Sequence, residues 1–290
     1  NNYQYDTILA NIDKHNIVKI LDRYQETDSQ ALLSKRFPVP TEAQKRTPAW
    51  VLVHGFSASS FEFEAFIDDV VSKESPVFFS KVVMGGHGRN YDAFKAATHM
   101  DWIDPVVNEV RQLQAMGYEK VSIFAVSAGA SATLHAVLNQ QIVGLNQLIM
   151  MDPFILPKNR LLYWIHVLGI IIKNSRSQAT RDIEFEHWHI NRSSKSLNQL
   201  RKLVRHVQHD LSQALPTILP TMTIFTASGD PTADTKGSDL ICDAIEGCRL
   251  NRYESKHHVI IEPQAKDEWT DADQQMMDSV LSEINALLLK

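Results

Sequence analysis

A serine among small residues is the position where the sequence most clearly indicates chemistry. Ser127 lies in the segment Ala125–Gly129 (AVSAG), which follows an apolar run typical of a strand and opens a helix pattern rich in small residues. Such a junction holds a serine hydroxyl at the tip of a sheet, where it can attack an acyl carbonyl. Ala125 stands where glycine is usual, because the strand and helix backbones nearly touch there. Alanine adds only one methyl group, so we expect it to fit.

Two N–H groups must stabilise the oxyanion that forms when a serine attacks an acyl group. One donor is expected from Ala128, the residue after the nucleophile. The segment His54-Gly55-Phe56 follows the first buried strand, and we expect the second donor to be the N–H of Phe56. Gly55 would let this loop pass close to the substrate. His54 is expected to be structural, with its ring hydrogen-bonded to the loop.

An acid and a base for such a serine are found downstream. Asp230 follows the predicted strand 221–227 and a turn glycine, where a carboxylate can orient an imidazole. Asp234 lies one turn further and is the alternative. The run from Ser255 to Glu262 contains two adjacent histidines, and one of them is expected to reach Ser127 as general base.

The apolar pattern that positions these residues alternates between strand and helix. Strands are predicted over 49–53, 77–84, 121–126 and 145–151, with helices over 61–72, 102–116 and 128–138. This order implies right-handed crossovers and a mostly parallel sheet. Residues 154–216 then show helical character with no clear strand, before strands over 221–227 and 250–253 and a helix over 269–289. Because ligands bind at the carboxyl ends of parallel strands, the insertion is expected to cover the site.

Three regions follow from this pattern. Residues 1–47 are predicted to be an N-terminal helical extension, from loosely helical spacing of Ile8, Ile12 and Ile17. Residues 48–153 and 217–290 form the α/β core, and 154–216 form a helical cap. A chain of 290 residues with 44% hydrophobic residues can bury a sizeable core. The formal net charge of −5 argues against a nucleic-acid binder.

The cap carries features that could concern a membrane or a metal. Positive side chains recur along one predicted helix, namely Arg201, Lys202, Arg205, His206 and His209. We expect a solvated face, with peripheral contact to anionic lipid head groups as the sharper alternative. His187 and His189 are expected to have a surface or packing role, because no third ligand is near. No metal or organic cofactor is expected.

Cys242 and Cys248 bear on the compartment of the protein. They lie six residues apart, so that a local disulfide and two free thiols are both compatible with the spacing. A disulfide would favour export, to the periplasm or to a membrane anchor, over the cytoplasm. The compartment and the oligomeric state stay open.

Several short motifs recur together in one known group of proteins. They are His54-Gly55-Phe56, Gly86-His87-Gly88, Asp101-Trp102, the approach Gly117–Val121 to Ser127, Gly229-Asp230-Pro231 and the Ser-Lys-His run from Ser255. Over about residues 48–289 the chain resembles the monoacylglycerol lipase, lysophospholipase and bacterial carboxylesterase group of α/β-hydrolases. This resemblance implies an eight-stranded, mostly parallel sheet flanked by helices, with a helical cap inserted after the sixth strand.

The resemblance also implies a catalytic triad of Ser127, Asp230 and His257, with an oxyanion hole from Phe56 and Ala128. The choice of histidine is the open point. The pattern that runs from Ser255 to Glu262 favours His257, whereas counting five residues from Tyr253 favours His258. We take His257 as the prediction and His258 as its alternative.

The implied activity is hydrolysis of a carboxylic ester through an acyl-enzyme on Ser127. The expected partner is a small acyl-ester or lipid-like substrate, as for a carboxylesterase or a monoacylglycerol or lysophospholipid lipase. Two alternatives stay open. The same residues could serve a thioesterase, a peptidase or a carbon–carbon hydrolase, or the fold could serve binding without catalysis.

Overall fold

The core of the fold is a seven-stranded sheet, seen in a computed structural model that describes residues 6–9, 40–89, 91–168, 173–176 and 182–290. The strands of the described residues are β1 (Asp6–Leu9), β2 (Ala49–Val53), β3 (Phe78–Val83), β4 (Val121–Val126), β5 (Gln147–Met151), β6 (Asn174–Arg176), β7 (Asn191–Ser193), β8 (Thr221–Ala227) and β9 (Arg249–Tyr253). The large sheet has the order β1-β3-β2-β4-β5-β8-β9, whereas β6 and β7 pair separately. Its strands are parallel apart from β1, which pairs antiparallel with β3.

Helices connect the strands and cover both faces of the sheet. Those of the described residues are α1 (Glu42–Arg46), α2 (Glu64–Ser72), α3 (Tyr91–Ala96), α4 (His99–Ala115), α5 (Ser127–Leu138), α6 (Ile165–Leu168), α7 (Asp182–His187), α8 (Ser194–Leu211), α9 (Lys236–Ala244) and α10 (Asp271–Leu288). Short 3₁₀ turns cover Ser60–Phe63, Arg160–Trp164 and Pro263–Ala265. A capping box of Thr98 and Asp101 fixes the start of α4, which is where the polar pattern gives way to an apolar stripe.

The sheet separates two hydrophobic clusters, because side chains alternate between its faces. On β2, Val51 and Val53 join the cluster under α4, α5 and α8, whereas Trp50 and Leu52 join the cluster under α2 and α10. All five residues of β2 are buried, which explains its uninterrupted apolar sequence. The parallel sheet between two helical layers confirms the predicted fold class.

Three details differ from the sequence predictions. Residues Asp6–Leu9 form an edge strand rather than a helix, because pairing with β3 overrides a weak local pattern. The rest of the predicted helical extension, up to Glu42, lies largely outside the described residues. Among the described residues the large sheet has seven strands, five of which precede the insertion 154–216, so the predicted eighth strand is not seen there. The cap also contains the short strands β6 and β7, which polar sequences hid.

Cys242 and Cys248 form a disulfide that links the end of α9 to the turn before β9. Of the two alternatives that the sequence left open, the structure has the disulfide. Within the described ranges, every helix is too short or too polar to cross a bilayer.

Candidate active site

Ser127 lies on a sharp turn between a strand and a helix. β4 ends at Val126 and α5 begins at Ser127, whose φ of 50° is in the left-handed region that side chains other than glycine rarely adopt. At Gly129, a Cβ atom would lie 2.2 Å from the carbonyl oxygen of His54, so only glycine fits there. Ala125 is fully buried beside this turn, and its methyl group is accommodated. The turn aims the hydroxyl of Ser127 away from the sheet.

A histidine and an aspartate complete a hydrogen-bonded chain with this serine. His258 Nε2 lies 2.8 Å from Ser127 Oγ, and His258 Nδ1 lies 2.7 Å from Asp230 Oδ2. The second oxygen of Asp230 accepts the N–H groups of Thr232 and Ala233, at 2.6 and 3.0 Å. Because Asp230 accepts the proton on Nδ1, Nε2 of His258 is free to accept from the serine.

The prediction that His257 faces Ser127 is wrong, and its neighbour His258 takes that position. The N–H of Val259 donates to Asp152 at 2.9 Å, which holds His258 toward the serine. His257 lies on the other side of the loop, where its Nε2 is 3.3 Å from Asp273 and its ring packs on Trp269. The two adjacent side chains point to opposite sides of the loop, so only His258 reaches the serine.

Asp230 holds the position predicted for it, whereas the alternative Asp234 does not reach the histidine. Asp234 Oδ2 accepts from Arg160 at 2.9 Å, and its other oxygen accepts the N–H of Lys236. It therefore joins the cap to the start of α9.

Electrostatics favour an ionised aspartate beside a basic imidazole. Burial alone would raise the pKa of Asp230, but the charge and hydrogen bond of His258 and two backbone donors lower it overall. Burial lowers the pKa of His258, yet the charge and hydrogen bond of Asp230 outweigh it and raise that pKa above its usual value. The histidine is thus a stronger base than an isolated imidazole.

The loop that contains Phe56 is fixed on both sides of that residue. The N–H of Gly55 donates to Glu62 Oε2 at 2.6 Å, and the carbonyl of Ser57 accepts the N–H of His189 at 2.7 Å. Gly55 lies so close to the nucleophile that a Cβ there would be 3.1 Å from Ser127 Cβ. Within the described residues, the N–H of Phe56 has no acceptor. The N–H of Ala128 belongs to the first turn of α5, where helices provide no acceptor.

A buried pair of carboxyl groups, those of Glu62 and Glu262, supports this loop. Burial and the neighbouring carboxyl of Glu262 raise the pKa of Glu62 well above its usual value. The shift favours the neutral form of the Glu62 carboxyl, which accepts the N–H of Gly55. Lys266 Nζ contacts Glu262 at 2.5 Å and the carbonyl of His258 at 2.6 Å, so the network reaches the histidine loop.

Asp152 is a part of the site that sequence reasoning missed. It follows β5, has a φ of 44° and is almost fully buried. Its carboxylate accepts from the N–H of Ala227, the hydroxyl of Tyr253 and the N–H of Val259, at 2.7, 2.7 and 2.9 Å. Burial raises the pKa of Asp152, although His258 opposes the shift. The signal that could have found it is the one used for Asp230, a carboxylate directly after a buried strand.

The ligand atoms of Asp152, Asp230 and His258 lie within 4.8 Å of one another, a spacing compatible with a metal. Each of these atoms already bonds another member of the group or a backbone N–H, so the hydrogen-bond network accounts for the cluster. We propose no metal at this position.

The other histidines singled out from the sequence have packing roles. The Nδ1–H of His54 lies 2.8 Å from the Gly55 carbonyl, and Nε2 accepts the N–H of Met84 at 3.1 Å. Burial lowers the pKa of His54 to about 4, so the ring is neutral. In the cap, His187 stacks on Phe61 at 3.8 Å between ring centres. His189 stacks on Phe94 at 4.1 Å.

A cavity of about 650 Å³ opens in front of the serine. Ser127, His258 and Phe56 lie in its wall together with cap residues such as Leu162 and Ile165. Residues of the insertion 154–216 thus line the same cavity as Ser127. A cavity of this size is in the range of small-molecule sites.

Comparison with known proteins gives a fold and no close relative. No protein-family model and no curated protein matches this sequence. Among solved structures, one of the metagenome-derived lipolytic enzymes LipS and LipT is similar, with 14% identity, a TM-score of 0.68 and coverage of 84% of this chain and 94% of that chain. The monoacylglycerol lipase of Paleococcus ferrophilus has 14% identity, a TM-score of 0.61 and coverage of 84% and 96%.

A soluble variant of the monoglyceride lipase from Saccharomyces cerevisiae is similar too, at 12% identity, with a TM-score of 0.65 and coverage of 87% of this chain and 89% of that chain. At such identities the similarity establishes the fold. The chain has the α/β-hydrolase fold, as its motifs predicted.

Proposed function

We propose that this protein is a serine hydrolase that cleaves carboxylic esters through an acyl-enzyme on Ser127. The observation that carries the proposal is the chain of hydrogen bonds from Ser127 Oγ through His258 to Asp230, at 2.8 and 2.7 Å. A serine in a strained turn, in contact with an imidazole and facing a cavity, is the arrangement that nucleophilic catalysis needs.

In the first half of the reaction, Ser127 Oγ attacks the acyl carbonyl while His258 Nε2 takes the hydroxyl proton. Asp230 holds the ring in the required tautomer and stabilises its positive charge. The oxyanion is bound by the N–H groups of Phe56 and Ala128. Both are held in advance, one by the anchored loop and the other by the first turn of α5, so little reorganisation is needed when charge develops.

In the second half, His258 gives its proton to the leaving alcohol and the acyl group stays on Ser127. A water molecule, activated by the same imidazole, then attacks the acyl-enzyme and regenerates the serine. The triad and the two N–H groups supply the acid, base, nucleophile and oxyanion binding that these steps use.

An ester with an apolar acyl chain is compatible with the apolar part of the cavity wall. Its wall combines apolar cap residues, among them Leu161, Leu162 and Ile165, with the polar pair Glu62 and Glu262. The similar solved proteins include lipases and esterases, which supports ester chemistry on this fold. We propose a carboxylesterase or a monoacylglycerol or lysophospholipid lipase.

A panel of p-nitrophenyl esters of rising chain length tests the proposal, beside monoacylglycerol, thioester and aminoacyl amide substrates. Ser127→Ala should lower kcat by about 10⁴-fold or more with an unchanged circular dichroism spectrum. A fluorophosphonate probe should label the wild type at Ser127 and leave the variant unlabelled. Faster turnover of amides or thioesters than of esters would replace the ester assignment, and a folded protein that resists the probe would indicate a binding function.

A further inference from the structure

A partly buried cation in the cavity wall has no part in the mechanism above. Arg192 lines the same cavity as Ser127 and His258. The carbon of its guanidinium lies 5.9 Å from the centre of the Phe56 ring. Among the described residues, no carboxylate lies within ion-pair distance of Arg192, and its buried Nε has no hydrogen-bond partner. The Nε–H donor of Arg192 is therefore unused among the described residues.

An arginine inside a protein without an ionic partner is unusual, because its guanidinium keeps a positive charge at all physiological pH values. Burial lowers the pKa of Arg192, and the charge of Glu184 opposes that shift from beyond ion-pair distance. Buried charges are normally paired and hydrogen-bonded. The contact with the Phe56 ring compensates only part of the lost hydration. An anion in the cavity would supply the missing partner.

The other cation in the cavity wall, Lys266, already has hydrogen-bond partners within the protein. Lys266 Nζ contacts Glu262 Oε1 at 2.5 Å and the carbonyl of His258 at 2.6 Å. Its charge is used within the protein, so it offers little to a ligand. Among the described residues of the cavity wall, Arg192 is the cation whose charge no neighbour neutralises directly.

The backbone holds Arg192 in place and adds positive potential beside it. Arg192 lies on β7, paired with Ser175 of β6, and α8 begins two residues later at Ser194. Ser175 and Ser194 also line the cavity. The amino end of an 18-residue helix carries partial positive charge, and the side chain of Ser193 caps it. The anchored N–H of His189 fixes the chain just before β7.

We propose that Arg192, with the start of α8, forms an anion subsite that binds a carboxylate or phosphate carried by the substrate. This inference rests on the proposed ester hydrolysis and names its substrate class, namely esters with a negative group distant from the scissile carbonyl. The planar fork of a guanidinium matches both kinds of oxyanion.

Glu184 sets a limit on this subsite and provides a second test. It lines the same cavity and would repel an anion bound at Arg192. Glu184→Gln should therefore increase the preference for anionic substrates, whereas Arg192→Gln should decrease it. Opposite effects from two neighbouring residues are not expected from general damage to the cap.

Matched substrate pairs measure the preference on each side of the ester bond. On the acyl side, p-nitrophenyl hydrogen suberate is compared with p-nitrophenyl octanoate, because the two differ by a terminal carboxylate. On the alcohol side, 1-decanoylglycerol 3-phosphate is compared with 1-decanoylglycerol. We expect the ratio of kcat/KM, anionic over neutral, to fall about ten- to a hundredfold in Arg192→Gln for at least one pair.

Two further variants control for charge and folding. Lys195→Gln removes one exposed positive charge from the first turn of α8, outside the cavity wall, and should leave both ratios within about twofold of the wild type. Arg192→Lys keeps the charge without the fork and should retain part of the preference. A fall in one pair only identifies the side of the ester that carries the anion.

The outcomes separate this inference from the proposed function. If neutral esters are cleaved but neither ratio responds to Arg192→Gln, the subsite is wrong and the hydrolase stands. If no ester is cleaved, the hydrolase is wrong, and the subsite is read by calorimetric titration of the wild type and Arg192→Gln with suberate and with inorganic phosphate. Equal binding by the two proteins in that titration would overturn the subsite as well.

Discussion

At the scale of single residues, one backbone hydrogen bond decides which imidazole meets Ser127. The N–H of Val259 donates to Asp152, and Val259 has a φ of 54°. This geometry turns His258 toward the serine and His257 toward Asp273 and Trp269. If the loop were displaced by one residue, His257 would face Ser127 in place of His258.

The two histidine variants should therefore behave differently. His258→Ala removes the proposed general base and should lower kcat by about 10⁴-fold or more. His257→Ala should keep kcat within a few-fold of the wild type and lower Tm by several degrees, because it removes contacts to Asp273 and Trp269. Steady-state kinetics and thermal unfolding measure both effects, and an inactive but folded His257→Ala would contradict the assignment.

The pH dependence of activity should report the pair of His258 and Asp230. His258 must be neutral to accept a proton, so kcat/KM should fall as the pH drops through its raised pKa. Asp230→Asn removes the charge that raises this pKa, so the acidic limb should move to lower pH. The maximal rate should also fall, by about 10³- to 10⁴-fold.

A pH–rate profile of both proteins on one neutral ester measures this shift. The substrate has no titrating group, so the limb belongs to the enzyme. An acidic limb that stays in place or moves to higher pH in Asp230→Asn would show that this carboxylate does not control the base.

At the scale of elements, the first helical turns of the cap present an apolar surface to solvent. Leu161, Trp164 and Val167 are 61%, 62% and 52% exposed, and Leu161 also lines the cavity. Arg205 of α8 lies over the ring of Tyr163, 5.2 Å from its centre, so basic and apolar groups are neighbours here. We propose that this face contacts a membrane with anionic lipids, where an aromatic side chain inserts and arginine binds head groups.

Trp164→Ser should weaken binding to vesicles that contain phosphatidylglycerol by about tenfold, because it removes a large inserting side chain. Ile218→Ser is the matched control, since Ile218 is 84% exposed but precedes β8 at the opposite end of the sheet. Vesicle sedimentation at two salt concentrations measures both, and binding should weaken as salt rises. If both variants lose vesicle binding equally, the cap is not the part of the protein that contacts the membrane.

At the scale of the whole molecule, the features that could be predicted are those whose signal lies within one short stretch of sequence. β4 and β8 coincide with the predicted strands 121–126 and 221–227, because strands buried in a parallel sheet carry long apolar runs. The turn at Ser127 was predictable for a similar reason, since close packing of strand and helix demands small residues there.

The features that could not be predicted depend on distant partners. The carboxyl pair joins Glu62 to Glu262, which are remote in sequence, and neither has a local signal. β1 is a strand only because β3 offers it a free edge. The choice of His258 depends on a hydrogen bond to Asp152, 107 residues earlier in the chain. The order of residue types along the chain does not reveal these contacts between distant residues.

The hydrogen bond from the His189 N–H to the Ser57 carbonyl joins the insertion 154–216 to the loop that contains Phe56. Without that bond, the loop would keep only one of the two hydrogen bonds that flank Phe56, the one from Gly55 to Glu62. In the mechanism we propose, the position of the Phe56 N–H thus depends in part on the insertion.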